Sequence, residues 1–165
     1  MENTILKTNL GKYDYICFWD GATEPMNPGG ACGIGSIIFD GNGKREFEYS
    51  HYIPMNKRNS NNVAEYLGFI RLLEWFIENK IFAKSISLFG DSNLVVQQMN
   101  GRWKMRGGLY KSFALKAKEL LKEVKKNNNH IVISWIGRDY NSLADELSKR
   151  ELIKNKIEFR LQPIT

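Results

Sequence analysis

The chain has little of what metal and covalent sites are usually built from. Among its 165 residues there are two cysteines, Cys17 and Cys32, and two histidines, His51 and His130. Neither cysteine has a metal-ligand spacing, and both lie in apolar runs that read as strands, so each is expected to be a small buried hydrophobe. With no His/Cys cluster, the sequence argues against zinc. Proline is also scarce, with four in the whole chain, and no Pro/Ser/Gly-rich linker or internal repeat divides it. One domain over residues 1–165, with its core at about 13–153, is the expectation. No apolar run approaches the roughly 20 residues that span a bilayer, and Met1 to Lys7 lacks the layout of a secretory signal. A cytoplasmic monomer with no membrane partner follows as an expectation.

Charge is present, and it is unevenly placed. The formal net charge is +6. Between Gly101 and Lys126 lie Arg102, Lys104, Arg106, Lys111, Lys116, Lys118, Lys122, Lys125 and Lys126, opposed only by Glu119 and Glu123. A solvated helix face is one reading of such a run. A track for a polyanion is the other, and the neighbouring Trp103 favours it.

Periodicity divides the rest. Tyr13–Asp20, Ala31–Phe39 and Lys44–Ile53 read as strands, with the turn signal Asp40-Gly41-Asn42-Gly43 between the last two. Gly33 and Gly35 in the second strand suggest close backbone approach. The period then becomes helical: Val63, Leu67, Ile70, Leu73 and Ile77 share a face after a cap at Ser60 or Asn61. A strand over Ser85–Gly90 follows, then a brief helix from Ser92-Asn93 to about Asn100. Next come a helix from about Gly108 to Lys126, with Leu109, Phe113, Leu120 and Val124 inward, a strand over Ile131–Trp135, and a helix over Asn141–Ile153. The order βββαβααβα predicts an α/β fold. The long helix between strands one and four is a crossover of a length that permits parallel pairing.

Four acidic residues stand at informative places in that order. Asp20 and Asp91 each follow a strand, so the two carboxylates would meet if those strands are neighbours. Glu65 and Asp145 each lie one turn inside a helix. Any one of them alone reads equally as a cap, a turn former or a surface acid. Four carboxylates gathered at one sheet edge require neutralisation, and divalent metal is the usual means.

The contexts of the four together resemble the type 1 ribonuclease H family. They are Asp20-Gly21, Asn27-Pro28-Gly29-Gly30, Ser60-Asn61-Asn62-Val63-Ala64-Glu65-Tyr66, Gly90-Asp91-Ser92-Asn93-Leu94-Val95 and Asn141-Ser142-Leu143-Ala144-Asp145-Glu146-Leu147-Ser148. The resemblance covers about Tyr13 to Arg150. It implies a mixed five-stranded sheet flanked by helices and hydrolysis of the RNA strand of an RNA/DNA hybrid. It also implies two Mg²⁺ ions, with Mn²⁺ as a possible substitute, held by Asp20, Glu65, Asp91 and Asp145. Two-metal chemistry needs no histidine base, which suits this composition. By the same resemblance Glu65, Asn93 and the backbone at Gly21 and Ala22 would lie along the RNA strand, whose 2′-OH must be read. Asn27, Ser60, Asn61 and Asn62 would face the DNA strand, and Trp103, Lys104 and Arg106 would line its channel. Capping and turn formation remain alternative roles for these asparagines.

The chain departs from the family in one place. Many members carry a histidine in the loop before the last aspartate. Here the loop is Trp135-Ile136-Gly137-Arg138-Asp139-Tyr140-Asn141, so Arg138 is the residue that would reach a phosphate, and it cannot shuttle protons. Pairing with Asp139 or Glu146 is its structural alternative. Two other functions stay open from the sequence: a non-catalytic nucleic-acid-binding module of this fold, and a related nuclease with broader activity on duplex RNA.

Overall fold

In the computed structural model the described residues are 3–160. Five strands form one mixed sheet in the order β3-β2-β1-β4-β5. They are β1 (Tyr15–Glu24), β2 (Ala31–Asp40), β3 (Arg45–Ile53), β4 (Ser85–Gly90) and β5 (His130–Trp135). The first three make the expected antiparallel meander. β1 then pairs in parallel with β4, and β4 with β5.

Among the described residues the helices are α1 (Thr4–Asn9), α2 (Asn61–Glu78), α3 (Asn93–Met99), α4 (Lys111–Lys126) and α5 (Ser142–Lys154), with a 3-10 turn at Arg138–Tyr140. None is long and apolar enough to cross a membrane. The order of strands and long helices is the one expected, but four details differ. β1 does not stop at Asp20. It runs four residues further, paired with β2 as far as Glu24 opposite Ala31, whereas its pairing with β4 ends at Trp19 opposite Gly90. Asp20 therefore sits where one neighbouring strand ends and the other continues. α4 starts at Lys111, not Gly108; of its expected inward residues Val124 is buried and Phe113 and Leu120 pack against the core, with Ala114, Ala117 and Leu121 buried beside them, while Leu109 is exposed. α1 has no counterpart in the sequence reading, because six residues are too few to display a helical period. The tail expected to follow α5 is described only as far as Arg160.

The sheet carries a core on each face, as the strand alternation requires. Cys17 and Trp19 point into the larger layer with Tyr66, Phe69, Leu72, Leu73, Val95, Ala114 and Leu121, beneath α2, α3 and α4. Ile16 and Phe18 point into the smaller one with Ile37, Phe39, Phe89 and Leu147, under α5, where Ile5 and Leu6 of α1 add cover. Trp19, Tyr66, Phe18 and Phe69 are fully buried, each contributing about 2–3 kcal/mol of burial free energy.

Two close approaches set where the helices lie. A Cβ on Gly21 would sit 2.3 Å from the carbonyl carbon of Ala64, and one on Gly35 would sit 2.4 Å from the carbonyl oxygen of Ala144. Glycine at these places lets the first turns of α2 and α5 rest directly on β1 and β2. Those are the turns that carry Glu65 and Asp145.

Candidate active site

Each acid reaches the site for a local reason. Ser60 starts α2 by accepting a hydrogen bond from the Val63 amide at 3.1 Å, which satisfies one open donor of the first turn. Glu65 then lies beside Gly21, whose amide donates to Asp20 Oδ1 at 2.9 Å and to Glu65 Oε1 at 3.3 Å. Asp91 is the residue directly after β4. Asp20, Glu65 and Asp91 each offer a carboxylate oxygen, and the three lie within 4.8 Å of one another. Asp20 and Glu65 are only 6% and 7% exposed.

The electrostatics follow from that crowding. Burial first, then the negative charge of Asp91, push the Asp20 pKa up to about 8. Glu65 is raised well above the ordinary carboxylate range, mainly by burial and next by Asp20. Asp91 is raised by burial, against the pull of the Arg138 guanidinium and the neighbouring Asn141 side chain. Three carboxyls this close cannot all be ionised without a cation.

Asp145 stands apart from the other three. It is half-buried at the rim, near enough for its charge to act on Asp20 and Asp91, and its Oδ1 is paired with Lys149 Nζ at 2.9 Å. The structure thus gathers three of the four acids expected and puts the fourth beside them with its own counter-charge.

The donor set fits a hard divalent cation. All ligands are carboxylate oxygens, and Glu65 Oε2 and Asp91 Oδ2 are buried with no hydrogen-bond partner. Two buried acceptors left open beside a third carboxylate make a place for a metal.

The expected substrate contacts sort into two groups. Asn27, Asn61 and Ser60 belong to a network at the start of α2. Asn61 Oδ1 accepts from the Thr23 amide at 2.9 Å, and Asn27 Oδ1 accepts from the Asn61 amide at 3.0 Å. Both side-chain oxygens are thereby engaged, which fixes the orientation of the two side-chain NH₂ groups. Asn62 and Asn93 are exposed, and Asn93 Oδ1 accepts from Gln97 Nε2 at 3.2 Å. Gly21 is buried and Ala22 half-buried on β1. In the second group, Trp103 is 47% exposed, and Arg102, Lys104 and Arg106 are exposed around it. The segment is anchored by Gln98, whose Nε2 donates to the Lys104 carbonyl at 3.0 Å and to the Tyr110 hydroxyl at 3.1 Å. Arg138 is exposed in the loop before α5.

Three residues with a part in the site carried no clear signal in the sequence. Asn141 is fully buried and donates from Nδ2 to the Trp19 carbonyl at 2.9 Å. Its carbonyl accepts from the Asp145 amide at 3.0 Å. One residue so ties the end of β1 to the first turn of α5. Trp135 Nε1 donates to the Asp91 carbonyl at 3.2 Å. Lys149 follows Asp145 by four residues, a spacing that does mark a helical ion pair.

A sheet of order 3-2-1-4-5 with a carboxylate cluster beyond its central parallel strands is the architecture of the ribonuclease H-like fold. Residues 19–151 match the family model described as reverse transcriptase-like. The chain is 32% identical over 126 residues to the bifunctional protein Rv2228c of Mycobacterium tuberculosis, a match covering 74% of this chain and 31% of that protein. It therefore spans about a third of that relative's length. The N-terminal RNase H domain of rv2228c, solved as a fusion with maltose binding protein, has a TM-score of 0.73 at 26% identity, covering 86% of this chain and 95% of that one. LC11-RNase H1, isolated from compost by a metagenomic approach, has a TM-score of 0.75 at 32% identity, covering 87% of this chain and 98% of that one. The same LC11 protein has also been solved in complex with an RNA/DNA hybrid, at a TM-score of 0.74, 32% identity and coverage of 86% and 99%. The chain belongs to the reverse transcriptase-like family and to the type 1 ribonuclease H family.

Proposed function

We propose that the chain hydrolyses the RNA strand of RNA/DNA hybrids and does so with two divalent cations, Mg²⁺ or Mn²⁺. The observation that carries this reading is the set of three converging carboxylates with two buried, partnerless oxygens. Asp20, Glu65 and Asp91 would hold metal, with Asp145 at the rim. Metal bound there supplies Lewis-acid stabilisation of a phosphate and a water nucleophile at neutral pH.

The protein's own groups do the rest. Gly21 holds Asp20 and Glu65 in register through its amide. Arg138, whose charge already acts on Asp91, offers a fixed cation to a phosphate oxygen at that edge and takes no part in proton transfer. The Asn27 and Asn61 side chains, with their oxygens engaged, present NH₂ donors suited to the phosphates of the DNA strand. Trp103 gives a face for sugar or base stacking, and Lys104 and Arg106 flank it with positive charge. Gly21, Ala22 and Asn93 stand along the path assigned to the RNA strand. The hybrid seen with LC11-RNase H1 supports the same choice of substrate.

The test is cleavage of end-labelled RNA/DNA hybrid, duplex RNA and duplex DNA, with Mg²⁺ and then Mn²⁺. Cutting confined to the RNA strand of the hybrid is expected. Binding of the hybrid without cleavage under either metal would overturn the reading in favour of a binding module. Equal cleavage of duplex RNA would replace hybrid specificity with a broader nuclease.

A further inference from the structure

The chain after α5 returns to the far end of β1 and grips it. Arg160 donates from its backbone amide to Glu24 Oε2 at 2.9 Å, from Nε to the same oxygen at 3.2 Å, and from Nη2 to Glu24 Oε1 at 3.2 Å. A fourth bond runs from Nη2 to the Thr23 carbonyl at 2.8 Å. The guanidinium thus covers both carboxylate oxygens and the adjoining peptide. Such a fork on a carboxylate is the geometry that arginine makes and lysine cannot.

The position of this pair gives it meaning. Glu24 is the last residue of β1, and the turn that follows carries Asn27. The Thr23 amide is held by Asn61, and the Asn61 amide by Asn27. An acidic side chain therefore stands within the cluster whose amides face the DNA strand in the function proposed above. Left unpaired, it would repel the phosphates that Asn27 and Asn61 are placed to bind. A half-exposed ion pair adds little to folding, so its consequence is expected in the local potential.

We propose that Arg160 is a positioning residue that neutralises Glu24 and holds the end of β1, so that this corner accepts DNA-strand phosphates of the hybrid. The proposal rests on the hybrid-nuclease reading. It assigns a role in substrate binding to a residue about 140 positions from Asp20 in the chain.

The experiment measures hybrid affinity by fluorescence anisotropy in an Asp91→Asn background, where binding is read without turnover. Arg160→Met is expected to weaken binding about three- to tenfold at low salt, with the gap closing at high salt as the Glu24 charge is screened. Glu24→Gln added to Arg160→Met should restore affinity to within about twofold, and Arg160→Lys should keep most of it. Glu24→Gln alone should bind as well as the parent or better. Melting temperatures of all variants control for folding. With Asp91 intact, the loss should fall on KM, not on kcat. An unchanged affinity for Arg160→Met would overturn the proposal. So would a loss that Glu24→Gln leaves unrepaired, because the clamp would then be a structural prop only. Failure of the unmodified chain to cut hybrid is a separate result, seen before any variant is made, and it overturns the underlying reading.

Discussion

The acidic corner and the basic segment are opposites in construction. Asp20, Glu65 and Asp91 are held in a buried cluster by close-packed backbone and shared hydrogen bonds. Arg102, Trp103, Lys104 and Arg106 are exposed on a loop between α3 and α4, tied to the core chiefly through Gln98. The difference matches what each kind of chemistry demands. Metal coordination tolerates errors of a few tenths of an ångström, so its ligands need a rigid frame. Attraction to a phosphate backbone depends on charge count and tolerates mobile side chains. A single change should therefore be severe in the first region and graded in the second.

The largest expected effect is on turnover. Asp91→Asn should lower kcat by roughly a thousandfold or more while hybrid binding largely survives, as single-turnover cleavage and anisotropy would show together. Loss of binding in parallel with turnover would mean that the two regions are not separable. Next in size is Gly21→Ala. Its new methyl would meet the α2 backbone at 2.3 Å, and overpacking against backbone should cost about 3 kcal/mol, read as a drop in the denaturation midpoint. An unchanged midpoint would show that the frame around Glu65 is softer than it looks.

A third effect depends on pH. Burial and the neighbouring carboxylates let folded Asp20 keep its proton up to about pH 8, whereas an unfolded aspartate loses it at about pH 3.9. Across that window the folded state holds more protons than the unfolded one, so stability falls as pH rises from about 4 to 8. Thermal melts in chelator should show this decline. Millimolar Mg²⁺ should raise the melting temperature most at the alkaline end, and Asp20→Asn should flatten the slope. A Mg²⁺ response independent of pH would detach the metal from these carboxyls. The smallest effect belongs to the basic segment: Lys104→Ala should weaken hybrid binding a few-fold and reduce the salt slope by about 0.9.

Much of the corner was legible in the sequence because its parts are local. Asp91 follows a short apolar strand, and Glu65 follows a serine cap within one turn. The glycines at 33 and 35 announced a close approach that α5 does make. The rest depends on contacts between distant segments. The pairing of β1 with β2 beyond Asp20 has no signature in residues 21–24, which read as the start of a loop. Leu109 is exposed because it precedes α4, which starts at Lys111, while Ala114 and Ala117 within the helix are buried. Asn141 read only as the first residue of the last helix. Its long-range amide bond to Trp19 is invisible until β1 and α5 are brought together, and the grip of Arg160 on Glu24 is invisible for the same reason.

Asn141 has a consequence for how the molecule opens. Its side chain and carbonyl join the end of β1 to the first turn of α5. The segments bearing Asp20 and Asp145 therefore cannot fray independently; release of α5 from the sheet would strip β1 of this bond in the same event. In hydrogen-exchange terms, the amides around these two acids form one cooperative unit, protected together and lost together.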